Sequence, residues 1–160
     1  MASKGNNKLI TSAVKSIADG AVVVIVKTEW NAHITDKLEA GCKKVIKAGG
    51  LKTKTIIVPG AVEIPFAINA YAKSAAPADA FVALACVIKG DTPHFEYVCQ
   101  SITQGITILN TQLQVPVIYG VLTVNNEQQA LERIGGKHGH KGEEAGMTAL
   151  KMIALNKSIR

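Results

Sequence analysis

Short apolar runs rich in β-branched residues alternate with amphipathic stretches along this chain, and that alternation limits its possible folds more than any other feature. Residues 21–26 (AVVVIV) are apolar without a break, which is typical of a strand covered on both faces. From Ile34 to Val45 apolar residues recur at helical spacing, and Gly49 and Gly50 predict the end of that helix. A strand followed by such a helix predicts a β-α-β unit.

The pattern continues to the C-terminus. Further strands are predicted over residues 53–58, 80–88 and 115–122. Further helices are predicted from residue 63 or 64 to 74, over 94–113, as a short helix capped by Asn126, and over 143–155. The second strand begins with polar residues, so we expect it near a sheet edge. The sequence therefore predicts an α/β fold, a flavodoxin-like three-layer α/β/α sandwich with a four-stranded parallel sheet.

A single domain is predicted over residues 21–160, since no linker, repeat or low-complexity segment interrupts it. Residues 1–20 are polar, are broken by Gly5 and Gly20, and lack the apolar centre of a secretory signal. We therefore predict a flexible N-terminal arm over 1–20. The remnant of a transit peptide and a strand lent to another subunit are the alternatives that its composition leaves open.

Composition excludes several classes of protein. Hydrophobic residues make up 48% of the chain and charged residues 19%, which excludes a disordered chain, and no apolar run approaches the ~20 residues that span a bilayer. The three cysteines form no C-x-x-C pair, which argues against a disulfide scaffold and fits a reducing compartment. The net charge is +6, but with one Trp, three Tyr, three Phe and no reading motif we predict no nucleic-acid partner.

Ligands of open parallel sheets bind beyond the carboxyl ends of the strands. This rule singles out four loops, residues 28–31, 59–63, 90–94 and 123–126. The only tryptophan of the chain lies in the first of them. We therefore expect the functional site at this end of the sheet.

The loop before the longest helix carries the clearest chemical signal. Thr92 is a good N-cap residue, and Pro93 suits the first position of a helix. With Gly90, the free N–H groups of this turn can bind an anion such as phosphate, although an ordinary helix cap has the same sequence. His94 lies in the same turn, where the positive helix end favours a neutral imidazole that accepts a proton; a surface histidine is the alternative.

Other residues allow two interpretations each. Trp30 can stack on a planar ring or pack as a partly buried side chain. Glu63 can accept hydrogen bonds from a polyol or from ring N–H groups, or favour a helix N-terminus. His138 and His140 suggest a metal, but their loop contains lysines and no carboxylate or cysteine, so no metal site is predicted. No G-x-G-x-x-G motif follows the first strand, which argues against a dinucleotide.

Three stretches together carry a resemblance to a known family. They are residues 59–65 (PGAVEIP), residues 87–97 (VIKGDTPHFEY), and residues 120–133, which begin GVLT and contain Glu127, Gln128, Ala130 and Arg133; Gly139, Lys141 and Gly142 follow. In this order and spacing the chain resembles the lumazine synthases from about residue 21 to its C-terminus.

The resemblance implies a transferase of riboflavin biosynthesis that uses no cofactor. Its substrates would be 5-amino-6-(D-ribitylamino)uracil and 3,4-dihydroxy-2-butanone 4-phosphate, two small molecules of which one is phosphorylated. Its products would be 6,7-dimethyl-8-ribityllumazine, phosphate and water. The family scheme consists of imine formation, phosphate elimination and ring closure.

Carried over by position, the family's roles fall mainly on the predicted loops. Contacts with the pyrimidine ring and ribityl chain are expected from Trp30, Asn31, Ala61, Val62, Glu63, Cys86, Val87, Ile88, Tyr119 and Lys141. Contacts with phosphate are expected from Gly90, Asp91, Thr92 and Arg133. His94 is the expected proton carrier.

The resemblance also implies a homo-oligomer, either a pentamer or a hollow shell of twelve pentamers, and the short turn over residues 135–142 favours the shell. Arg133 follows Asn126 by seven residues, so at ~1.5 Å per residue it lies about 10 Å from its own helix start and is expected to serve a neighbouring subunit. His140 stands where many relatives have Asn.

A riboflavin synthase is a further expected partner. The expected location is the cytoplasm, or a plastid if the N-terminus is a trimmed transit peptide.

Two alternatives to this enzyme are open to test. A flavodoxin-like module that binds FMN or a lumazine without catalysis would need a phosphate loop rich in Ser and Thr after the first strand, whereas residues 28–31 are TEWN. Such a protein would be yellow and redox-active when purified. A catalytically silent relative that binds a lumazine or riboflavin is disfavoured by the presence of both His94 and Arg133.

Overall fold

The structure, a computed structural model, describes residues 20–160. The arm predicted over residues 1–20 lies, apart from Gly20, outside the described residues. The main sheet has four parallel strands in the order β2-β1-β3-β4, which confirms the predicted sheet and the edge position of the second strand. The strands are β1 (Val22–Thr28), β2 (Lys52–Val58), β3 (Ala80–Ile88) and β4 (Val117–Val124).

Five α-helices connect and follow these strands in the described part of the chain. They are α1 (Ala32–Ala48), α2 (Ile64–Ala72), α3 (His94–Gln112), α4 (Glu127–Leu131) and α5 (Lys141–Ser158), and a 3₁₀ turn (Ala61–Glu63) precedes α2. Within residues 20–160, no helix combines the length and the apolar character that a membrane crossing needs.

Two apolar clusters separate the sheet from its two helical layers. Because side chains alternate along a strand, Val23 and Ile25 of β1 face one layer while Val24 and Val26 face the other. The first cluster holds the buried residues of α1 and α5, and the second holds those of α2 and α3. This arrangement confirms the predicted three-layer sandwich.

Helices α1 and α5 pack closely because glycines line their contact. A Cβ atom on Gly142 would lie 2.0 Å from the carbonyl oxygen of Leu38, and one on Gly146 would lie 2.9 Å from that of Cys42. Any larger residue at these positions would push the helices apart. The close contact also fixes where α5 begins relative to α1.

Several boundaries differ from the sequence prediction by one to three residues, and three of them have a bearing on the packing or the site. Strand β1 extends to Thr28 and buries Lys27, whereas the apolar run predicted an end at Val26. Strand β4 begins at Val117 rather than at residue 115, because Pro116 has no N–H to donate and contributes only its carbonyl, which accepts from the N–H of Phe81 at 2.9 Å. Helix α5 begins at Lys141 instead of residue 143.

The chain before α5 forms a small hairpin, where the sequence predicts only a short turn over residues 135–142. Its antiparallel strands are β5 (Ile134–Gly136) and β6 (Gly139–His140). Gly135 and Gly139 adopt φ values of 110° and 83°, a left-handed region that favours glycine. The hairpin therefore links the end of α4 directly to the start of α5.

A charged network lies under the carboxyl end of β1. The ammonium group of Lys27 contacts Asp36 Oδ1 at 2.5 Å and Glu39 Oε2 at 2.6 Å. The other carboxylate oxygen of Glu39 contacts Lys43 at 2.5 Å and accepts from the hydroxyl of Thr55 at 2.6 Å. Each buried charge is thus paired, which burial in an apolar layer requires. The network joins β1, β2 and α1 next to the loop that carries Trp30.

Candidate active site

An open cleft of about 450 Å³ lies at the carboxyl ends of β2, β1 and β3. Three of the four predicted loops border it, together with the end of β3 and the first turns of α3. Its lining residues are Thr28, Trp30, Asn31, Ala61, Val62, Glu63, Cys86, Val87, Ile88, Gly90, Thr92, His94, Phe95 and Val98. The fourth predicted loop, over residues 123–126, does not line this cleft.

The loop after β1 forms the first wall. Asn31 adopts a left-handed conformation (φ 57°, ψ 41°), and its side-chain Nδ2 donates to the carbonyl oxygen of Cys86 at 2.8 Å. That bond ties the start of α1 to the end of β3. The preceding side chain, Trp30, is 68% exposed, so its indole stands at the cleft with a face free for a planar ligand. Trp30 therefore does not pack as a partly buried residue in the single chain.

The loop after β2 forms the second wall and is bonded to the first. The backbone N–H of Trp30 donates to the carbonyl of Pro59 at 3.2 Å. Gly60 lets the indole lie against the backbone, since a Cβ atom there would stand 2.9 Å from Trp30 Cζ3. Glu63 ends the 3₁₀ turn, and its Oε2 accepts from the N–H of Gly60 at 2.9 Å. Glu63 thus lines the cleft and also precedes a helix, and this position is compatible with either interpretation of the residue.

The loop after β3 forms the third wall. Helix α3 begins at His94 with Pro93 in the N-cap position and no side-chain cap, so the prediction of Thr92 as N-cap and Pro93 as first helical residue is wrong by one position. Thr92 still lines the cleft, as do Gly90 and His94. The imidazole of His94 therefore borders the same space as Trp30 and Glu63.

Sequence reasoning missed Phe95 and Val98 as lining residues, whereas Thr28 lines the cleft as part of the predicted loop over residues 28–31. Phe95 and Val98 belong to the apolar repeat that predicts the helix over 94–113, and this repeat alone does not distinguish residues that line a cleft from residues that pack against the sheet. A usable signal was present, because Val98 follows His94 by one helical turn and residues four apart share a helix face. The cleft is accordingly more apolar on its α3 side than the loops alone suggest.

Cys86 lies at the floor of the cleft but is not a nucleophile. Burial raises the pKa of its thiol to about 11, and the nearby carboxylate of Glu127 acts in the same direction. The thiol is therefore protonated at neutral pH, while a cysteine nucleophile needs its thiolate. The contribution of Cys86 to the cleft is its backbone, whose carbonyl accepts the bond from Asn31.

Four of the predicted site residues do not line this cleft: Asp91, Tyr119, Arg133 and Lys141. Asp91 lies in the loop after β3 and is exposed. Arg133 and Lys141 line a second cleft of about 470 Å³ along β4, while Tyr119 and Lys141 line a third of about 410 Å³ on the same strand. The prediction that Arg133 is remote from its own phosphate loop agrees with this position.

The guanidinium group of Arg133 is held in a fixed orientation. Its NH2 atom contacts both carboxylate oxygens of Glu144, at 2.9 and 3.1 Å, and its NH1 atom donates to the carbonyl oxygen of His138. The phenol of Tyr119 shares a hydrogen bond of 3.2 Å with Thr103. Burial raises the pKa of that phenol, so it stays uncharged at neutral pH. The surface along β4 that carries Tyr119, Arg133 and Lys141 is called the β4 face below. It presents a neutral phenol and two cations that both pair with Glu144.

The cleft at the carboxyl ends of β2, β1 and β3, called the main cleft below, combines groups suited to binding a polar ring compound and moving protons. Trp30 supplies an aromatic face, Glu63 a carboxylate, and His94 an imidazole at a helix N-terminus. Among the residues described, none that lines this cleft is a lysine or an arginine. A phosphate ester bound here would meet helix N–H groups but no cationic side chain of the same subunit.

Comparisons with known proteins agree on one family. The model of a family described as 6,7-dimethyl-8-ribityllumazine synthase matches residues 20–157. A protein of that name from Bacteroides fragilis is 47% identical over 140 residues, which cover 83% of this chain and 97% of the relative. One from Porphyromonas gingivalis is 48% identical over 83% of this chain and 84% of its own length. One from Christiangramia forsetii is 39% identical, with 100% of this chain and 98% of the relative covered.

Proposed function

Because the chain belongs to the 6,7-dimethyl-8-ribityllumazine synthase family, we propose that the main cleft is the substrate site of that enzyme. The enzyme is a transferase of riboflavin biosynthesis. It condenses 5-amino-6-(D-ribitylamino)uracil with 3,4-dihydroxy-2-butanone 4-phosphate, and 6,7-dimethyl-8-ribityllumazine, phosphate and water leave. The membership does not favour the alternative of a flavodoxin-like binding module.

One observation carries the assignment of the site. His94, at the first residue of the longest helix, borders the same cleft as the exposed indole of Trp30 and the carboxylate of Glu63. A proton carrier, an aromatic face and a hydrogen-bond acceptor are the groups that a condensation between an aminopyrimidine and a ketone needs. These three side chains come from loops that follow three adjacent strands, and each is held by backbone bonds or by the helix it starts.

The pyrimidine ring is assigned to the space beside Trp30. Its face stacks on the indole, and its edge lies along the end of β3, where the backbone of Cys86, Val87 and Ile88 lines the cleft. The ribityl chain extends toward the 3₁₀ turn, where Ala61, Val62 and Glu63 line the cleft. The carboxylate of Glu63 can accept hydrogen bonds from ribityl hydroxyls, and the amide of Asn31 fixes the loop that carries the indole.

His94 is assigned the proton transfers. The amino group of the pyrimidine attacks the ketone of the second substrate, and the resulting carbinolamine loses water to give an imine. A base then removes a proton next to the imine as phosphate leaves, and ring closure releases water. A positioned imidazole contributes about 10²–10⁴-fold to such steps, and holding both substrates together accounts for much of the rest, up to roughly 7–11 kcal/mol in ideal cases.

The phosphate group is assigned to the loop of Gly90, Asp91 and Thr92 before α3. The N–H groups of the first helical turn favour an anion. Since no cationic side chain among the described residues of the cleft can pair with it, we assign Arg133 of a neighbouring subunit as its partner. Tyr119 and Lys141 belong to the same β4 face as Arg133, because Lys141 borders both clefts along that strand. We therefore assign Tyr119, Arg133 and Lys141 together to the neighbour's contribution.

A site shared between subunits requires a homo-oligomer, which we propose to be a pentamer or a shell of twelve pentamers. In a closed ring, the β4 face of each subunit can meet the main cleft of the next, so that every cleft is completed by a neighbour. A riboflavin synthase is proposed as a further partner. The cytoplasm is proposed as the location, supported by three cysteines that are free in the structure.

The proposed function is tested by mixing both substrates with the purified protein and following lumazine fluorescence. We expect His94→Ala to lower kcat by about 10²–10⁴-fold with little change in either KM. We expect Arg133→Ala to raise the KM for the phosphorylated substrate by about 10- to 100-fold, as for the loss of hydrogen bonds between charged groups. His33→Ala and Arg160→Ala are matched controls, because neither residue lines the cleft. Unchanged kinetics in both test variants would refute the assignment of the site.

A further inference from the structure

His140 occupies a slot that only a glycine in α1 leaves open. The residue is the last of β6 and directly precedes α5. A Cβ atom on Gly41 of α1 would lie 2.3 Å from Cε1 of the imidazole and 2.7 Å from each ring nitrogen. On the other side, a Cβ on Gly135 of β5 would lie 3.7 Å from Cδ2. The ring is thus held between the backbone of a helix and the backbone of the hairpin.

The imidazole also caps α5. Its Nδ1 atom accepts from the backbone N–H of Glu143 at 3.4 Å, the bond that an N-cap side chain supplies to a helix. Only an unprotonated Nδ1 can accept, so the cap requires the neutral ring with its proton on Nε2. Protonation turns both nitrogens into donors and removes the cap.

The capped junction holds the two cations of the β4 face. His140 pairs with Ile134 across the hairpin, and the N–H of Lys141 donates to the carbonyl oxygen of Arg133 at 2.7 Å. Glu144, in the first turn of the capped helix, binds the guanidinium of Arg133 at 2.9 and 3.1 Å. The start of α5 therefore sets the position of Lys141 directly and that of Arg133 through Glu144.

We infer that His140 is a positioning residue for the cationic pair Arg133 and Lys141, and that protonation of its ring releases the α5 cap and loosens that pair. The inference rests on the proposed function in one respect, namely that the two cations act on the phosphorylated substrate. It assigns His140 no contact with substrate. The residue acts through the hairpin and the first turn of α5.

The charges around the ring come from both elements that enclose it. Lys44 of α1 and Glu143 and Glu144 of α5 face it, and Lys44 and Glu143 pair with each other at 3.0 Å. Burial is the largest influence and lowers the pKa of His140 below its ordinary 6.5, against the opposing effect of the two carboxylates. Because the pKa is lowered, the ring is neutral and the cap is present at neutral pH, and the cap is lost only as the pH falls through that lowered pKa.

The test compares two substitutions of His140 with the wild-type enzyme. Asn is a strong N-cap residue without a charge change in this range, so His140→Asn keeps the cap at every pH, whereas His140→Ala removes it. We expect His140→Ala to raise the KM for the phosphorylated substrate about fivefold, the factor that corresponds to one lost N-cap, with little change in kcat. His33→Ala is the matched control, because it removes an exposed imidazole whose partner is Glu127.

The pH profile separates this role from simple packing. As the pH falls from 8 through the lowered pKa of His140, we expect the KM of the wild-type enzyme to rise up to about fivefold relative to that of His140→Asn. Comparison at each pH cancels the titration of the substrate phosphate and of every group that the two proteins share. Parallel profiles of the two proteins, or a His140→Ala enzyme with the KM of the His33→Ala control, would overturn the inference.

Hydrogen exchange supplies a readout that does not depend on activity. Backbone amides at the start of α5 should be protected in the wild type and in His140→Asn at pH 7, and less protected in His140→Ala. Equal protection in all three proteins would also overturn the inference. A wild-type protein that makes no lumazine would instead contradict the proposed function, and the exchange data would still decide the cap. If His140→Ala fails to fold, the comparison of wild type with His140→Asn remains decisive.

Discussion

Replacing Glu39 by Gln should remove the central carboxylate of the buried network under β1. Burial alone would raise the pKa of Glu39, but the hydrogen bonds from Lys27, Lys43 and Thr55 outweigh it and lower that pKa from 4.5 to about 2. A shift of this size corresponds to about 3 kcal/mol of folding free energy. Because 12% of the side chain stays exposed to screening solvent, we expect Glu39→Gln to cost about 2 kcal/mol at pH 7.

The pH dependence of that cost follows from the sign of the shift. A carboxyl group with a lowered pKa stabilises the fold fully above its unfolded value, near pH 4.5, and loses this contribution as the pH falls toward 2. The free-energy difference between wild type and Glu39→Gln should therefore be constant from pH 7 to 5 and shrink toward zero near pH 2. The assay is urea unfolding at a fixed subunit concentration, since assembly makes apparent stability depend on concentration.

Asp36→Asn is the matched control for this experiment. Asp36 contacts the same ammonium group at 2.5 Å, but its side chain is 61% exposed, and exposed ion pairs contribute about 0.5 kcal/mol. Glu39→Gln should therefore lower the free energy of unfolding clearly more than Asp36→Asn does. Equal effects of the two variants, or a Glu39→Gln effect that does not change between pH 5 and 2, would refute the role assigned to Glu39.

Three further outcomes are expected at the cleft. Gly60→Ala places a Cβ atom 2.9 Å from Trp30 Cζ3, so the indole must move. The KM for the pyrimidine should then rise about tenfold, because one stacking contact is lost, while the free energy of unfolding in urea should change little. Asn31→Ala replaces a residue type that tolerates φ 57° by one that rarely adopts it and also removes the bond to Cys86, which should cost about 2 kcal/mol in unfolding free energy, whereas Asn31→Gly should lose only about 1 kcal/mol for the bond. Because Trp30 is the only tryptophan, binding of the pyrimidine should change intrinsic fluorescence, and an unchanged spectrum at saturation would place the ring elsewhere.

The elements that sequence alone located well are those whose pattern reflects burial on both faces. Strand β3 matches the predicted residues 80–88, because an unbroken apolar run is a local signal. Helix α3 begins at residue 94, as its apolar spacing predicts and one residue after the start that Pro93 indicates. Asn126 caps α4 as predicted, accepting from the N–H of Gln129 at 3.0 Å. A charge ends the apolar run before Lys27, so the sequence predicts that the strand stops at Val26. Burial of Lys27 depends on its ion pairs with Asp36 and Glu39, which belong to α1 and are not part of the local strand signal.

The site was predictable to the extent that it follows from topology. The rule for carboxyl ends of parallel strands identified the loops of Trp30, Glu63 and His94, which the structure brings to one cleft. The same rule gave the fourth loop equal weight, although the loop after β4 borders a different surface. The orientation of Arg133 could not be derived from its own segment, because it depends on Glu144 in a helix that begins beyond the hairpin.

The central claim, a site completed by a neighbouring subunit, is tested most directly by mixing subunits. His94→Ala and Arg133→Ala proteins are assembled together in equal amounts, and lumazine formation is measured against each variant alone at a concentration of the phosphorylated substrate below the wild-type KM, where the loss of Arg133 lowers the rate. If Arg133 acts on the cleft of the next subunit, about a quarter of the interfaces in a random ring pair an intact His94 with an intact Arg133, and roughly that fraction of wild-type activity should return. Activity no greater than the mean of the two separate variants would contradict the shared site.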